Sequence, residues 1–445
     1  MCTCKRLEFV VSQAKNLVIA PFSLIYFFAS TPVVFPFSVY AALLPFDSVL
    51  GFGTMGTFTR FLGIATIIAF ILNRLIVAQG RILKPPLVVW SWAMFLLLSS
   101  LSSLWAMSSE NTFRGLFTLT GLFLIYLCVG LYPIKKKEVE FLKSLIIFSG
   151  FAAAIFSLVL YIYYGVTFGN SGRASLVFGE ERRVDPNHFA ASLVLPLIFA
   201  LEQMLRPNVF QKRVAFASTL VILLAILATG SRGGILGTTV AMLFFLGRMR
   251  KNLSKRSVIV AGIAIGLFIT MLALMFLPQD VIARFNFNVI LTSEGAGRFS
   301  IWKIGLAAFL DNPLLGYGYE NFPYAYDLFY SRVLIRYDPG LHRPAHNIFL
   351  QVFVELGIVG GVLLIAVFWQ HWRLVRRFSN RELALRASEA MLLGLFVASL
   401  TLGTLNQKYF WLAFSLILAL TNAERRANWE AGHWERDEKR GSLWD

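Results

Sequence analysis

The sequence predicts an all-α integral membrane protein that crosses the bilayer many times. Three observations carry that prediction. The chain of 445 residues is 57% hydrophobic and only 15% charged, where soluble domains run nearer half apolar and a quarter charged. Apolar stretches long enough to span a bilayer recur along it. Basic residues fall in alternate gaps between those stretches, the pattern that orients membrane helices. The composition also excludes other classes. Its 42 Phe and 10 Trp against 24 acidic residues exclude a disordered chain, and three Cys exclude a disulfide scaffold or a cysteine-rich metal module.

In chain order, residues 17–46 hold one crossing, interrupted by Pro21, Pro32, Pro36 and Pro45, which break helices. Further crossings are expected at 59–78, 87–104, 114–132, 141–164, 188–205, 213–229, 234–247, 257–277, 347–372, 386–403 and 408–422, giving about twelve transmembrane helices. This divides the chain into helices one to nine over 1–277, a large outer loop with an interfacial helix over 278–345, the last three helices over 346–424, and a tail over 425–445.

The basic clusters are Arg74/Arg81/Lys84, Lys135/Lys136/Lys137/Lys143, Arg206/Lys212/Arg213, Arg248/Arg250/Lys251/Lys255/Arg256 and Arg373/Arg376/Arg377/Arg381/Arg386. The positive-inside rule places these gaps in the cytoplasm, together with Lys5, Arg6 and Lys15 at the start and Arg425, Arg426, Arg436, Lys439 and Arg440 at the end. Both termini are then cytoplasmic, as are Cys2 and Cys4, and no small-residue pattern marks a cleaved signal peptide. The net charge of +17 therefore reflects membrane orientation, and nucleic-acid binding has no support.

Three informative segments face outward: 165–187, 230–233 and 278–345. The long loop carries Arg284, Arg298, Lys303, Arg332, Arg336 and Arg343 against the charge rule, as solvated loop charge or as anion-binding groups. From Arg298 to Leu310 apolar residues recur at helical spacing and stop at Asp311-Asn312-Pro313, which predicts a helix on the membrane surface. Trp302 there suits interfacial anchoring or stacking on a sugar ring.

In Thr229-Gly230-Ser231-Arg232-Gly233-Gly234 one helix ends and the next begins. Helix-start N–H groups, glycines and a guanidinium make a diphosphate cradle, or simply a tight turn with a snorkelling Arg232. Arg173 adds to an anion site, Asp185-Pro186-Asn187 is an ordinary helix cap, and His188 reads as structural. Pro344-Ala345-His346-Asn347 opens another helix. A helix start disfavours imidazolium, so a neutral His346 suits a general base, the alternative being a structural cap. Asn347 and Gln351, four residues apart, share its face and can bind an acceptor or orient the imidazole. No phosphate-binding glycine loop, dinucleotide fingerprint or metal motif is present, so neither a cofactor nor a metal is expected.

Three pieces in order resemble the O-antigen ligase and O-antigen polymerase superfamily: Gly230-Ser-Arg232-Gly-Gly; Gly297-Arg298-Phe-Ser-Ile-Trp302 with Asn312-Pro-Leu-Leu-Gly-Tyr-Gly318 and Asn321-Phe; and Ala345-His346-Asn347-Ile-Phe-Leu350. The similarity covers roughly 165–365, and the chain departs from the family's outer loop by the extension Glu180-Glu-Arg-Arg183. The resemblance implies a GT-C-like, metal-independent glycosyltransferase of the bacterial inner membrane. Such an enzyme moves a glycan from undecaprenyl diphosphate to an acceptor at the periplasmic face. It also implies that Arg232 and Arg298 hold the diphosphate and that His346 activates the acceptor hydroxyl; Arg173 and Ser231 are expected as substrate-binding residues from the residues themselves, not from the resemblance. The acceptor expected is lipid A-core, as in a ligase, with a lipid-linked repeat, as in a polymerase, the alternative. A transporter or flippase would place charge near the midplane of several helices, which here are nearly clean.

Overall fold

The computed structural model describes residues 33–51, 56–76, 83–164, 172–178, 182–249, 282, 286–293, 295–380 and 382–430. Several expectations lie outside the described residues: the crossing at 257–277, the part of the first crossing before residue 33, Cys2 and Cys4, and Glu180-Glu181. So do the basic residues Lys5, Arg6, Lys15, Arg81, Arg250, Lys251, Lys255, Arg256, Arg284, Arg381, Arg436, Lys439 and Arg440.

The described chain is helical apart from a two-residue antiparallel ladder, β1 (Val177–Phe178) with β2 (Arg182–Arg183), in which Val177 pairs with Arg183 and Phe178 with Arg182. The helices are α1 (Val34–Leu43), α2 (Phe58–Ile76), α3 (Leu87–Leu101), α4 (Ser109–Leu131), α5 (Lys136–Tyr164), α6 (Pro186–Gln203), α7 (Val209–Ala228), α8 (Arg232–Arg248), α9 (Phe287–Thr292), α10 (Arg298–Asp311), α11 (Phe322–Tyr330), α12 (Ile348–Phe378), α13 (Leu383–Ser399) and α14 (Lys408–Glu430).

Six described segments are long and apolar enough to cross a membrane: Phe58–Leu75, Leu87–Leu104, Ser109–Leu131, Lys136–Tyr163, Val209–Ala228 and Ile348–Phe378. Helices α6, α8, α13 and α14 occupy the other expected positions within the described chain. Several helices start earlier than their apolar stretches because caps carry them outward. The Ser108 hydroxyl accepts from the Asn111 amide at 3.4 Å ahead of α4, and the Lys135 amide donates to Glu138 at 2.7 Å ahead of α5. Leu87, Trp90, Met94, Leu97 and Leu101 form an exposed apolar stripe at helical spacing on α3, as Ile358, Val362, Ile365 and Trp369 do on α12, the surface a lipid phase would cover.

The two ends of the bundle differ in chemistry. At one end Lys136 pairs with Glu382 (2.7 Å) and Glu424 (2.8 Å), Lys143 with Glu202 (2.8 Å), and Arg206 with Glu140 and Glu202 (both 2.8 Å). Arg248 and Arg376 share Glu389 at 2.9 and 2.6 Å, and Arg426 donates to the Pro133 carbonyl at 2.6 Å. These contacts gather four of the basic gaps, together with Arg426, at a single end. At the other end Lys408 is held by Asp47, Thr57 and Thr59 at 2.7 to 2.8 Å, and Trp105 donates to the Leu315 carbonyl at 3.2 Å.

Close backbone approach fixes α8 against α13, where a methyl group on Gly237 would lie 2.6 Å from the Gly394 carbonyl oxygen. The loop helices α10 and α11 have their own small core of Ile301, Ile304, Ala308, Phe322, Ala325, Tyr326 and Val354. The surface helix expected from Arg298 thus buries one face in protein, while Phe299, Leu306 and Leu310 remain exposed on the other.

Helix α12 is broken after its first turns, at Gly357 (φ 64°, ψ −164°). Residues 313–318 stitch the break: Ile358 donates to the Pro313 carbonyl (2.8 Å), Tyr317 to that of Val354 (3.0 Å) and Gly318 to that of Glu355 (2.8 Å). Gly316 (φ 65°) and Gly318 (φ 93°) adopt the left-handed conformations this close approach demands. The Asn312-Pro-Leu-Leu-Gly-Tyr-Gly318 motif is therefore a backbone clip that holds the start of α12 at a fixed angle.

Candidate active site

The candidate residues sit where helices begin. Ahead of α6, the Asp185 carboxylate accepts from the Asn187 amide (2.7 Å) and the His188 amide (3.3 Å). Asn187 in turn accepts from Arg173 Nη2 at 2.8 Å, while Arg173 Nε donates to the Thr229 carbonyl at 2.6 Å and Ala174 donates to that of Ala228 at 2.8 Å. The segment that follows Gly172 is thereby tied both to the start of α6 and to the turn that precedes α8.

Ser231 caps α8. Its hydroxyl accepts from the Gly234 amide at 3.2 Å, and its own amide donates to Thr229 Oγ1 at 3.1 Å. Gly233 and Gly234 are explained by packing, since a methyl group on either would collide with Thr401 or sit 2.5 Å from Ala190 Cβ. Of the groups read as a diphosphate cradle, Ser231 and Gly234 satisfy one another, and Arg232 stands half-buried at the first helical position.

Arg298 opens α10 directly after Gly295, Ala296 and Gly297, three consecutive residues with positive φ (68°, 66° and 78°). One turn on, Trp302 Nε1 donates to the Ala345 carbonyl at 3.0 Å. That bond fixes the residue before His346, so Trp302 spends its N–H on positioning. His346 itself has φ 49°, an uncommon conformation for a residue with a Cβ. Asn347 uses its side-chain oxygen to cap α12, accepting from Phe349 (2.9 Å) and Leu350 (3.1 Å), and Gln351 Nε2 donates to Glu355 Oε1 at 3.2 Å. Asn347 and Gln351 are therefore anchored to the helix that presents His346.

The His346 imidazole is mostly buried, and its pKa is lowered to about 4, first by burial, then by the positive field of Arg298. Asp185 pulls the other way, while His188 and Arg343 add to the lowering. These terms place Asp185, His188, Arg298 and His346 within electrostatic reach of one another. Through Asn187, Arg173 joins the same group. At neutral pH His346 is an uncharged base facing an environment that repels cations.

Two features escaped the sequence reading. His188 Nδ1 meets the Tyr409 hydroxyl at 2.9 Å, a pairing between residues 221 positions apart. Below the clip, the fully buried Glu355 accepts from the Phe322 amide at 3.2 Å, and Glu320 (φ 61°) accepts from Asn406 at 2.6 Å, with burial holding the Glu320 carboxyl above its ordinary range. Among the described residues, no cluster of three or more His, Cys, Asp or Glu side chains could hold a metal ion.

Residues 217–365 match the family model for O-antigen ligases. The matched stretch contains Arg232, Arg298, Trp302, His346, Asn347 and Gln351, and leaves out Arg173, His188 and Tyr409. The chain is also similar to the teichuronic acid biosynthesis protein of Bacillus subtilis, at 23% identity over 391 residues covering 82% of this chain and 78% of that one. A Rickettsia conorii protein provisionally named a polysaccharide ligase is 24% identical over 179 residues, covering 39% of this chain and 42% of its own length. A solved chain from a study of a peptidoglycan synthase complex superposes with a TM-score of 0.43 at 18% identity, covering 75% of this chain and 96% of that chain.

Arginines and a neutral histidine at helix starts, within electrostatic reach of one another, are parts that displacement at a phosphorylated sugar can use. Guanidiniums stabilise the departing charge and the imidazole takes a proton.

Proposed function

We propose that this protein is a membrane glycosyltransferase that moves a glycan from undecaprenyl diphosphate to a hydroxyl acceptor at the periplasmic face of the bacterial inner membrane, with both termini cytoplasmic. The observation that carries the proposal is His346, uncharged and set beside Arg298 at the end of the bundle opposite the ion-paired basic gaps. In the reaction the acceptor hydroxyl loses its proton to His346 as its oxygen attacks the anomeric carbon. The bond from that carbon to the diphosphate oxygen breaks, and the electron pair leaves with the diphosphate, held by Arg298 and Arg232. Attack opposite the leaving group inverts the anomeric centre. A diphosphate held by two guanidiniums leaves without a metal.

The O-antigen ligase match supports lipid A-core as the acceptor. The name of the Bacillus subtilis relative favours a second reading, in which the acceptor is another lipid-linked repeat and the product a longer polymer. Transfer by the purified protein, without added metal, from an undecaprenyl-diphosphate glycan separates the two. Glycan on lipid A-core marks a ligase, longer lipid-linked chains in its absence mark a polymerase, and neither product with donor still bound sinks the proposal.

A further inference from the structure

His188 has no task in the transfer scheme, yet it lies inside the cluster that performs it. It follows Asn187, the residue that holds Arg173, and it shares an electrostatic neighbourhood with Arg298 and His346. Its ring is oriented by Tyr409, whose hydroxyl sits 2.9 Å from Nδ1. A phenol is a stronger proton donor than a neutral imidazole N–H, so Tyr409 donates to the Nδ1 lone pair and the ring hydrogen resides on Nε2.

That Nε2 makes no hydrogen bond to the described residues and is not among the unpartnered atoms sealed from the surface. Asp185, the nearby carboxylate, spends Oδ1 on the amides of Asn187 and His188, so the start of α6 already has its anion. What remains is an N–H donor with no bond to the described residues, in the field of Arg298 and next in sequence to the Asn187 that holds Arg173, a combination that suits an oxyanion better than a sugar hydroxyl. An imidazole that stays neutral under such a positive field still polarises an oxygen without adding charge.

Resting on the diphosphate reading above, we propose that His188, oriented by Tyr409, donates its Nε2 hydrogen to the diphosphate of the lipid donor. His188 is then a substrate-binding residue, and Tyr409 is a positioning residue that fixes the tautomer and the ring angle.

The test is binding of undecaprenyl diphosphate to the purified full-length protein in lipid nanodiscs, for the wild type, His188→Ala, His188→Gln and Tyr409→Phe. The expected result is a roughly ten- to hundredfold weaker Kd for His188→Ala, the loss that follows from one hydrogen bond to a charged group. Glutamine, whose amide N–H reaches about as far as Nε2, should recover most of that loss. Tyr409→Phe should weaken binding while the variant remains folded and inserted. Equal affinity of His188→Ala and wild type overturns this inference alone, as does a His188→Gln variant that is as weak as the alanine variant. A wild type that does not bind the diphosphate overturns the transfer reading with it. Should His188→Ala fail to fold, the glutamine and Tyr409→Phe variants decide the matter.

Discussion

His346 illustrates how one side chain's environment sets its chemistry. Burial and Arg298 together hold its pKa at about 4, so the free enzyme keeps the basic form through the neutral range and loses it only as pH falls towards 4. The acid limb of kcat/KM is therefore expected near pH 4 rather than near 6.5. In the donor complex the diphosphate offsets the field of Arg298, the imidazole becomes more basic, and the acid limb of kcat should lie higher than that of kcat/KM. Parallel pH profiles check both positions, and coincident limbs near 6.5 would exclude His346 as the base. The same field gives a prediction that needs no activity. Arg298→Gln removes a positive neighbour, so the His346 pKa should rise towards its ordinary value, as read by NMR titration of the imidazole. His346→Ala and Arg232→Ala should each abolish transfer while membrane insertion persists.

At the scale of elements, the sequence singled out the candidate residues but not the contacts that hold them in place. Hydropathy and charge located the helices, and glycine-rich or His-Asn motifs marked helix starts, because both are local signals. The clip between 313–318 and α12 was not legible, since it depends on backbone bonds between segments about forty residues apart. Nor was the bond from Trp302 to Ala345, which turns an aromatic read as an anchor or sugar platform into a positioning group. His188 and Tyr409 stayed hidden for the same reason, as their contact spans most of the second half of the chain. The clip makes its own prediction. A methyl group on Gly357 would strike the Leu314 carbonyl while the backbone is held at positive φ. Gly357→Ala should thus destabilise the folded protein by at least about 2 kcal/mol, from strain and overlap combined, and thermal unfolding in detergent measures it. Trp302→Phe keeps the ring and loses only the bond. It should cost about 1 kcal/mol of stability yet lower turnover by up to about a hundredfold through misplacement of His346.

The whole molecule separates its charges by end, and that separation has a consequence for topology. Lys136, Lys143, Arg206, Arg248, Arg376 and Arg426 are gathered at one end by carboxylates and carbonyls from neighbouring gaps, while Arg173, Arg298 and His346 lie at the other. Positive residues resist translocation, so the proposed orientation puts the ion-paired end in the cytoplasm and the cluster of helix starts on the opposite face. A glycan acceptor outside the cytoplasm is reachable only in that orientation. Leu334, 94% exposed on the loop that precedes α12, and Lys212, exposed near the start of α7, mark the two faces. In a functional background, Leu334→Cys should react with a membrane-impermeant maleimide in cells whose outer barrier alone has been opened. Lys212→Cys should react only after the inner membrane is lysed. The reverse pattern would put His346 in the cytoplasm and remove the periplasmic transfer reading. Labelling of both positions in intact cells would mean that the ion-paired end does not orient the chain.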